Sequence, residues 1–177
     1  MSKTNPNSIE RVGVVGSGLM GSGIAEVCAR ADLDVLVVEA DEAAAEAGRT
    51  RLVASLDRGL ATGKLDEDER AAAIGRVGFT TDFAELADRQ LVVEAVVEDE
   101  ATKTKIFSTL DNVVEADDAI LASNTSSIPI MKLGTATRRP EQVVGIHFFN
   151  PVPVLKLVEL VTSLMTAPTT VDAAQSF

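Results

Sequence analysis

The chain has no tryptophan and no tyrosine, and its 177 residues include one cysteine and one histidine. Each shortage excludes something. A lone thiol, Cys28, cannot form an internal disulfide, so a hydrophobic core rather than a staple must hold the fold. Cys28 shares the apolar face of a helical stretch with Ile24 and Val27, which makes it a core thiol rather than a reactive one. Without tryptophan or tyrosine, energy transfer from protein to a bound chromophore is a poor readout. Positive charge is short as well: 16 Lys and Arg against 27 Asp and Glu give a net charge of −11. Nucleic acid or an anionic membrane as the main partner would demand clustered cations, so both are disfavoured. No apolar run reaches membrane-spanning length. Met1 to Ser8 lacks the apolar core of a secretory signal, and residues 1–8 read as a short flexible tail. A cytoplasmic setting is the expectation. Internal repeats and low-complexity stretches are absent, and no linker interrupts the chain before about Thr166.

What is present suits one α/β domain, since 46% of the residues are hydrophobic and the length suffices to bury a core. Arg11-Val12-Gly13-Val14-Val15 reads as a strand feeding the turn Gly16-Ser17-Gly18-Leu19-Met20-Gly21, and an amphipathic helix follows. In such a turn the first glycine permits the tight bend, the second lets the backbone approach a pyrophosphate, and the third lets the helix lie close to the strand. The pyrophosphate then rests on free amides of the helix N-terminus. A second strand, Asp34 to Val38, ends in Glu39. A carboxylate there accepts hydrogen bonds from both ribose hydroxyls and repels a 2′-phosphate, which favours NAD over NADP.

Helical and extended patterns keep alternating beyond that point. Asp41 is placed to cap a long helix over 43–61, closed by Gly63, and Asp66 with Glu69 forms a capping-box start to a helix through Ile74. Val77–Thr80 reads as a short strand, Phe83–Ala87 as a helical turn, and Leu91–Val97 as a central strand apolar on both faces. Then come a helix from about Glu100 to Val114, a strand over 119–123, a short helix over 131–136, and strands over 143–148 and 155–161. Alternation of this kind predicts a Rossmann-type doubly wound, mostly parallel sheet with its ligand across the strand C-termini.

The single histidine stands at one of those ends. His147 closes the strand Val143 to Phe148, just before Asn150-Pro151-Val152-Pro153. Histidine can take a proton from an alcohol and return it near neutral pH. Glu159 lies on the strand after the proline loop, so a hairpin-like return can bring its carboxylate to the imidazole, fix the tautomer and stabilise the imidazolium. Taken by its spacing alone, His147 has a second, lesser reading as a satisfied core histidine. Ser126, in Asn124-Thr125-Ser126-Ser127, is either a loop cap or a substrate contact.

Ala122-Ser123-Asn124-Thr125-Ser126-Ser127, His147-Phe148-Phe149-Asn150-Pro151-Val152-Pro153 and Lys156-Leu157-Val158-Glu159 together resemble the 3-hydroxyacyl-CoA dehydrogenase family, most of all its compact bacterial members acting on 3-hydroxybutyryl-CoA. Val93-Glu94-Ala95-Val96-Val97-Glu98 and the glycine turn extend the resemblance over nearly the whole chain. It implies reversible oxidation of an (S)-3-hydroxyacyl-CoA by NAD in fatty acid or butanoate metabolism. In that scheme His147 is the general base, Glu159 its partner, and Ser126 a hydroxyl on the substrate's 3-oxygen. Gly16, Gly18, Leu19, Met20, Gly21 and Glu39 would hold NAD, with Glu98, Lys103, Ser126 and Asn150 at the nicotinamide and its ribose. Ser55, Lys103 and Ser126 would meet the coenzyme A substrate, while a family lysine falls at Thr62, with Lys64 as a possible substitute. No metal is implied.

By the same resemblance, family members continue into a helical second domain that closes over the substrate and forms the dimer contact. The expected layout is therefore a nucleotide-binding domain over 9–165 carrying the catalytic histidine. Residues 166–177 would begin a connection to a helical domain absent from this chain, which without it is expected to be poorly active. Two other readings stay open: an NAD-binding module without turnover, and a related dehydrogenase acting on a small hydroxy acid.

Overall fold

A computed structural model describes residues 9–177; the tail expected over residues 1–8 lies outside them. Strand β1 (Arg11–Val15) leads into helix α1 (Leu19–Arg30), β2 (Asp34–Val38), α2 (Glu42–Ala61), α3 (Glu67–Gly75) and β3 (Val77–Thr80). After a 3₁₀ turn at Phe83–Leu86 come β4 (Leu91–Glu94), α4 (Glu100–Val113), β5 (Ile120–Ser123) and α5 (Ile130–Gly134). The chain ends in β6 (Val143–Phe148), β7 (Val158–Val161) and α6 (Pro168–Ser176). One sheet orders these strands β3-β2-β1-β4-β5-β6-β7. All neighbours pair in parallel except β6 and β7. The order reverses between β1 and β4, the switch point at which a sheet of this type leaves a crevice for a ligand.

Both faces of the sheet are covered, which is why its central strands carry almost no polar residue. Val12, Val14, Val35, Val37 and Val93 pack with Ile24, Cys28, Leu52 and Leu56 of α1 and α2. On the other face, Val15, Val38, Val92 and Leu121 meet Phe107, Leu110 and Leu133 of α4 and α5. Cys28 is buried in the first cluster, and burial pushes its thiol up to about 12, as a structural thiol requires.

Local chemistry sets the helix ends. Asp41 accepts the Ala44 amide at 2.8 Å and starts α2. Asp66 and Glu69 exchange both capping-box bonds at the start of α3. Gly63, just past α2, has φ +69°, the left-handed conformation that suits glycine after a helix.

Two boundaries lie three residues from those read in the sequence. β4 stops at Glu94 rather than Val97, because the Glu94 carboxylate accepts the Val96 amide at 2.7 Å and turns the chain out of the sheet. β7 begins at Val158 rather than Leu155. The amides of Val154 and Leu155 both return to the Pro151 carbonyl at 3.0 Å, so the proline loop curls before it extends. α6 begins at Pro168, with proline at the first helical position, where no amide is needed.

Candidate active site

The C-terminal ends of β1, β2, β4, β5 and β6 gather the informative loops on one edge. At the turn after β1, Gly16 has φ +90°, and a Cβ on Gly21 would lie 1.8 Å from the Gly16 carbonyl oxygen. Neither position accepts a side chain. A Cβ on Gly18 would instead point into open space, at the start of α1, where the first amides have no intrahelical acceptor. That cradle fits a pyrophosphate, and Leu19 and Met20 form the first turn of α1 behind it. Glu39, at the end of β2, reaches across to the same turn. Its Oε1 accepts both the amide of Ser17 and, at 2.8 Å, the Ser17 hydroxyl. The acid expected at the adenosine ribose thus also clamps the glycine turn, a contact the sequence reading had not included.

His147 and Glu159 stand directly opposite in the antiparallel pairing of β6 with β7, so both side chains leave the same face. His147 Nδ1 lies 3.0 Å from Glu159 Oε2. Nδ1 being engaged, Nε2 is the nitrogen left for a substrate. The imidazole is 20% exposed and the carboxylate 53%, and Phe149 packs on the ring at a centroid distance of 4.5 Å. The bond belongs to a pair at an open sheet edge, not to a histidine satisfied inside the core.

The loop after β5 is tied in from two sides. Asn124 Oδ1 accepts the Phe148 amide at 2.8 Å, which locks this loop to the histidine strand. Glu98 Oε1 accepts the Thr125 hydroxyl, the amides of Ser126 and Ser127 at 3.2 Å each, and the Ser127 hydroxyl at 2.9 Å. Ser126 is exposed, and its own hydroxyl makes no hydrogen bond among the described residues. Burial alone would raise the Glu98 pKa, but the Thr125 and Ser127 hydroxyls and the Lys103 charge outweigh it and bring it down to about 2.

A carboxylate lowered by folding contributes stability above its unfolded value, here 4.5, and that contribution fades as pH falls toward about 2. Acid melts over that window should show the wild type losing its Tm advantage over Glu98→Gln. A gap that stays constant would mean that Glu98 is not held as described.

Lys103 lies deeper than its place in the sequence suggests. It was expected to reach the nicotinamide ribose and coenzyme A, yet it is 1% exposed. Its ammonium lies 2.6 Å and 2.8 Å from the two oxygens of Glu94 and 3.3 Å from Glu98 Oε2. A charge so buried must spend its donors on partners, and here those partners are the two carboxylates. The fully buried Glu94 also accepts the Ser123 hydroxyl at 2.6 Å. Glu94 was missed as a site residue, although an acid inside a strand apolar on both faces demands a buried cation, and Lys103 follows nine positions later.

A cleft of about 450 Å³ opens between α1, α2 and the proline loop. Ser55, Thr62 and Lys64 line it, as do Leu19 and Asn150, so it reaches the glycine turn at one end. Arg30, Arg51 and Arg58 add positive charge that the sequence reading did not assign. Arg51 also donates to the Ser17 carbonyl at 2.9 Å.

Residues 11–177 match the model of the 3-hydroxyacyl-CoA dehydrogenase NAD binding domain. The chain belongs to that family. It is 62% identical over 160 residues to a 3-hydroxybutyryl-CoA dehydrogenase of Mycobacterium tuberculosis, covering 90% of this chain and 56% of that one. The crystal structure of M. tuberculosis FadB2 superposes with a TM-score of 0.95 at 59% identity, over 96% of this chain and 60% of the other. An (S)-3-hydroxybutyryl-CoA dehydrogenase from Ralstonia eutropha gives 0.92 at 43% identity, over 96% and 59%. The chain thus spans little more than half the length of these relatives. Among the described residues no helix is long and apolar enough to cross a membrane.

Proposed function

We propose that this chain carries the cofactor site and acid–base machinery of an NAD-dependent (S)-3-hydroxyacyl-CoA dehydrogenase. Its substrate pair in this reading is 3-hydroxybutyryl-CoA and acetoacetyl-CoA, handled in the cytoplasm within fatty acid or butanoate metabolism. The observation that carries the reading is the His147–Glu159 pair, which frees one imidazole nitrogen beside the dinucleotide crevice.

His147 Nε2 takes the proton of the substrate's 3-hydroxyl, and Glu159 steadies the imidazolium that results. Bound NAD supplies the hydride acceptor. The exposed Ser126 hydroxyl donates to the 3-oxygen as its charge changes, held in place by Glu98 through the loop amides. In the reverse direction the imidazolium returns its proton to that oxygen. The basic cleft at Ser55 and Lys64 takes the coenzyme A phosphates. Lys103 acts by positioning: with Glu94 it anchors the segment that presents Glu98. Dimerisation, implied by the family resemblance, belongs to this reading too.

NADH oxidation measured with acetoacetyl-CoA, and again with free acetoacetate, tests the substrate class. Consumption of NADH only with the thioester is expected. Equal rates would favour a dehydrogenase of small acids, and no rate with either would favour a binding module. Cofactor choice has its own test in calorimetry. Glu39 should make NADPH bind at least about tenfold more weakly than NADH, which is about 1.4 kcal/mol; equal affinities would contradict its placement at the ribose.

A further inference from the structure

The cleft between α1, α2 and the proline loop holds one carboxylate that its surroundings leave unsatisfied. Glu26 is 2% exposed and lines this cleft, and its Oε2 has no hydrogen-bond partner among the described residues. Its Oε1 has only the part-exposed Arg30, at 3.4 Å and one turn further along α1. Ser22, one turn earlier, is already committed, because its hydroxyl donates to the Gly18 carbonyl at 2.7 Å. A buried carboxylate oxygen without a donor is costly, and buried polar atoms are rarely left so. A ligand filling the cleft lies beside this side chain, because Glu26 is part of the lining.

The rest of the lining narrows what supplies the missing donor. Arg30, Arg51, Arg58 and Lys64 make the cleft cationic in a chain of net charge −11, which suits phosphate groups. A phosphate cannot satisfy Glu26, since like charges repel. The donor must come from a neutral stretch of the same ligand. In coenzyme A that stretch is the pantetheine arm, whose amides carry N–H groups. Resting on the reading of this cleft as the coenzyme A site, we propose that Glu26 accepts a pantetheine amide N–H and so selects for a ligand carrying that arm.

Calorimetry on the 177-residue chain separates the possibilities, using coenzyme A and adenosine 3′,5′-bisphosphate, which lacks the arm. Glu26→Leu should weaken coenzyme A at least about tenfold and leave the bisphosphate unchanged. Glu26→Gln keeps an acceptor oxygen and should recover most of the loss. Unchanged NADH binding reports an intact fold, and Glu26→Ala carries the same expectations should the leucine variant not fold. Equal coenzyme A affinity in wild type and Glu26→Leu would overturn the proposal. So would parallel loss of both ligands, or a glutamine variant as weak as the leucine one. A wild type that binds neither ligand would refute the cleft assignment itself, and the role of Glu26 with it.

Discussion

Replacing His147 by glutamine should lower turnover at least about 100-fold while leaving NADH affinity nearly unchanged. That is what losing the proposed general base costs, and the residues proposed to hold the cofactor lie mostly on other segments, at the glycine turn and Glu39. Glutamine fills similar space and can still hydrogen-bond, but it cannot carry the proton. Glu159→Gln should act in the same direction with a smaller loss, because the imidazole stays in place and only its orienting charge goes. Steady-state kinetics beside NADH calorimetry would check both. Unfolding of the His147→Gln domain would instead assign this residue to the core, a role that its place at an open sheet edge argues against.

The second large effect is on stability. Lys103→Met removes the only cation bonded to the fully buried Glu94 among the described residues and should cost about 3–5 kcal/mol, the usual consequence of leaving a buried charge uncompensated. Adding Glu94→Gln should return part of the loss, since the stranded charge goes too. Urea unfolding of the three variants would measure it. A Lys103→Met domain within about 0.5 kcal/mol of wild type would mean that the pair is not buried as the structure has it.

Lys103 also illustrates where the sequence stops being legible. The glycine turn, the Asp41 cap and the Asp66–Glu69 box are local: each is written in a few neighbouring residues and each formed. The His147–Glu159 contact was readable because one proline loop joins their two strands. The buried pair was only half readable: an acid inside an apolar strand calls for a cation, but nothing local tells that a lysine on α4 points to it rather than to water. The early end of β4 has the same origin: Ala95, Val96 and Val97 look like strand, and only the side-chain bond from Glu94 to the Val96 amide turns them away. The basic cleft draws on α1, α2 and a loop about 100 residues later. Its charge emerges only when those segments meet.

A single-turnover experiment tests the central claim most directly: this chain, in excess over NADH, is mixed with acetoacetyl-CoA while the reduced nicotinamide absorbance is followed. The account predicts a slow decay that requires the thioester and vanishes in His147→Gln, although that variant still binds NADH. A decay that persists in His147→Gln, or proceeds as fast with free acetoacetate, would contradict it.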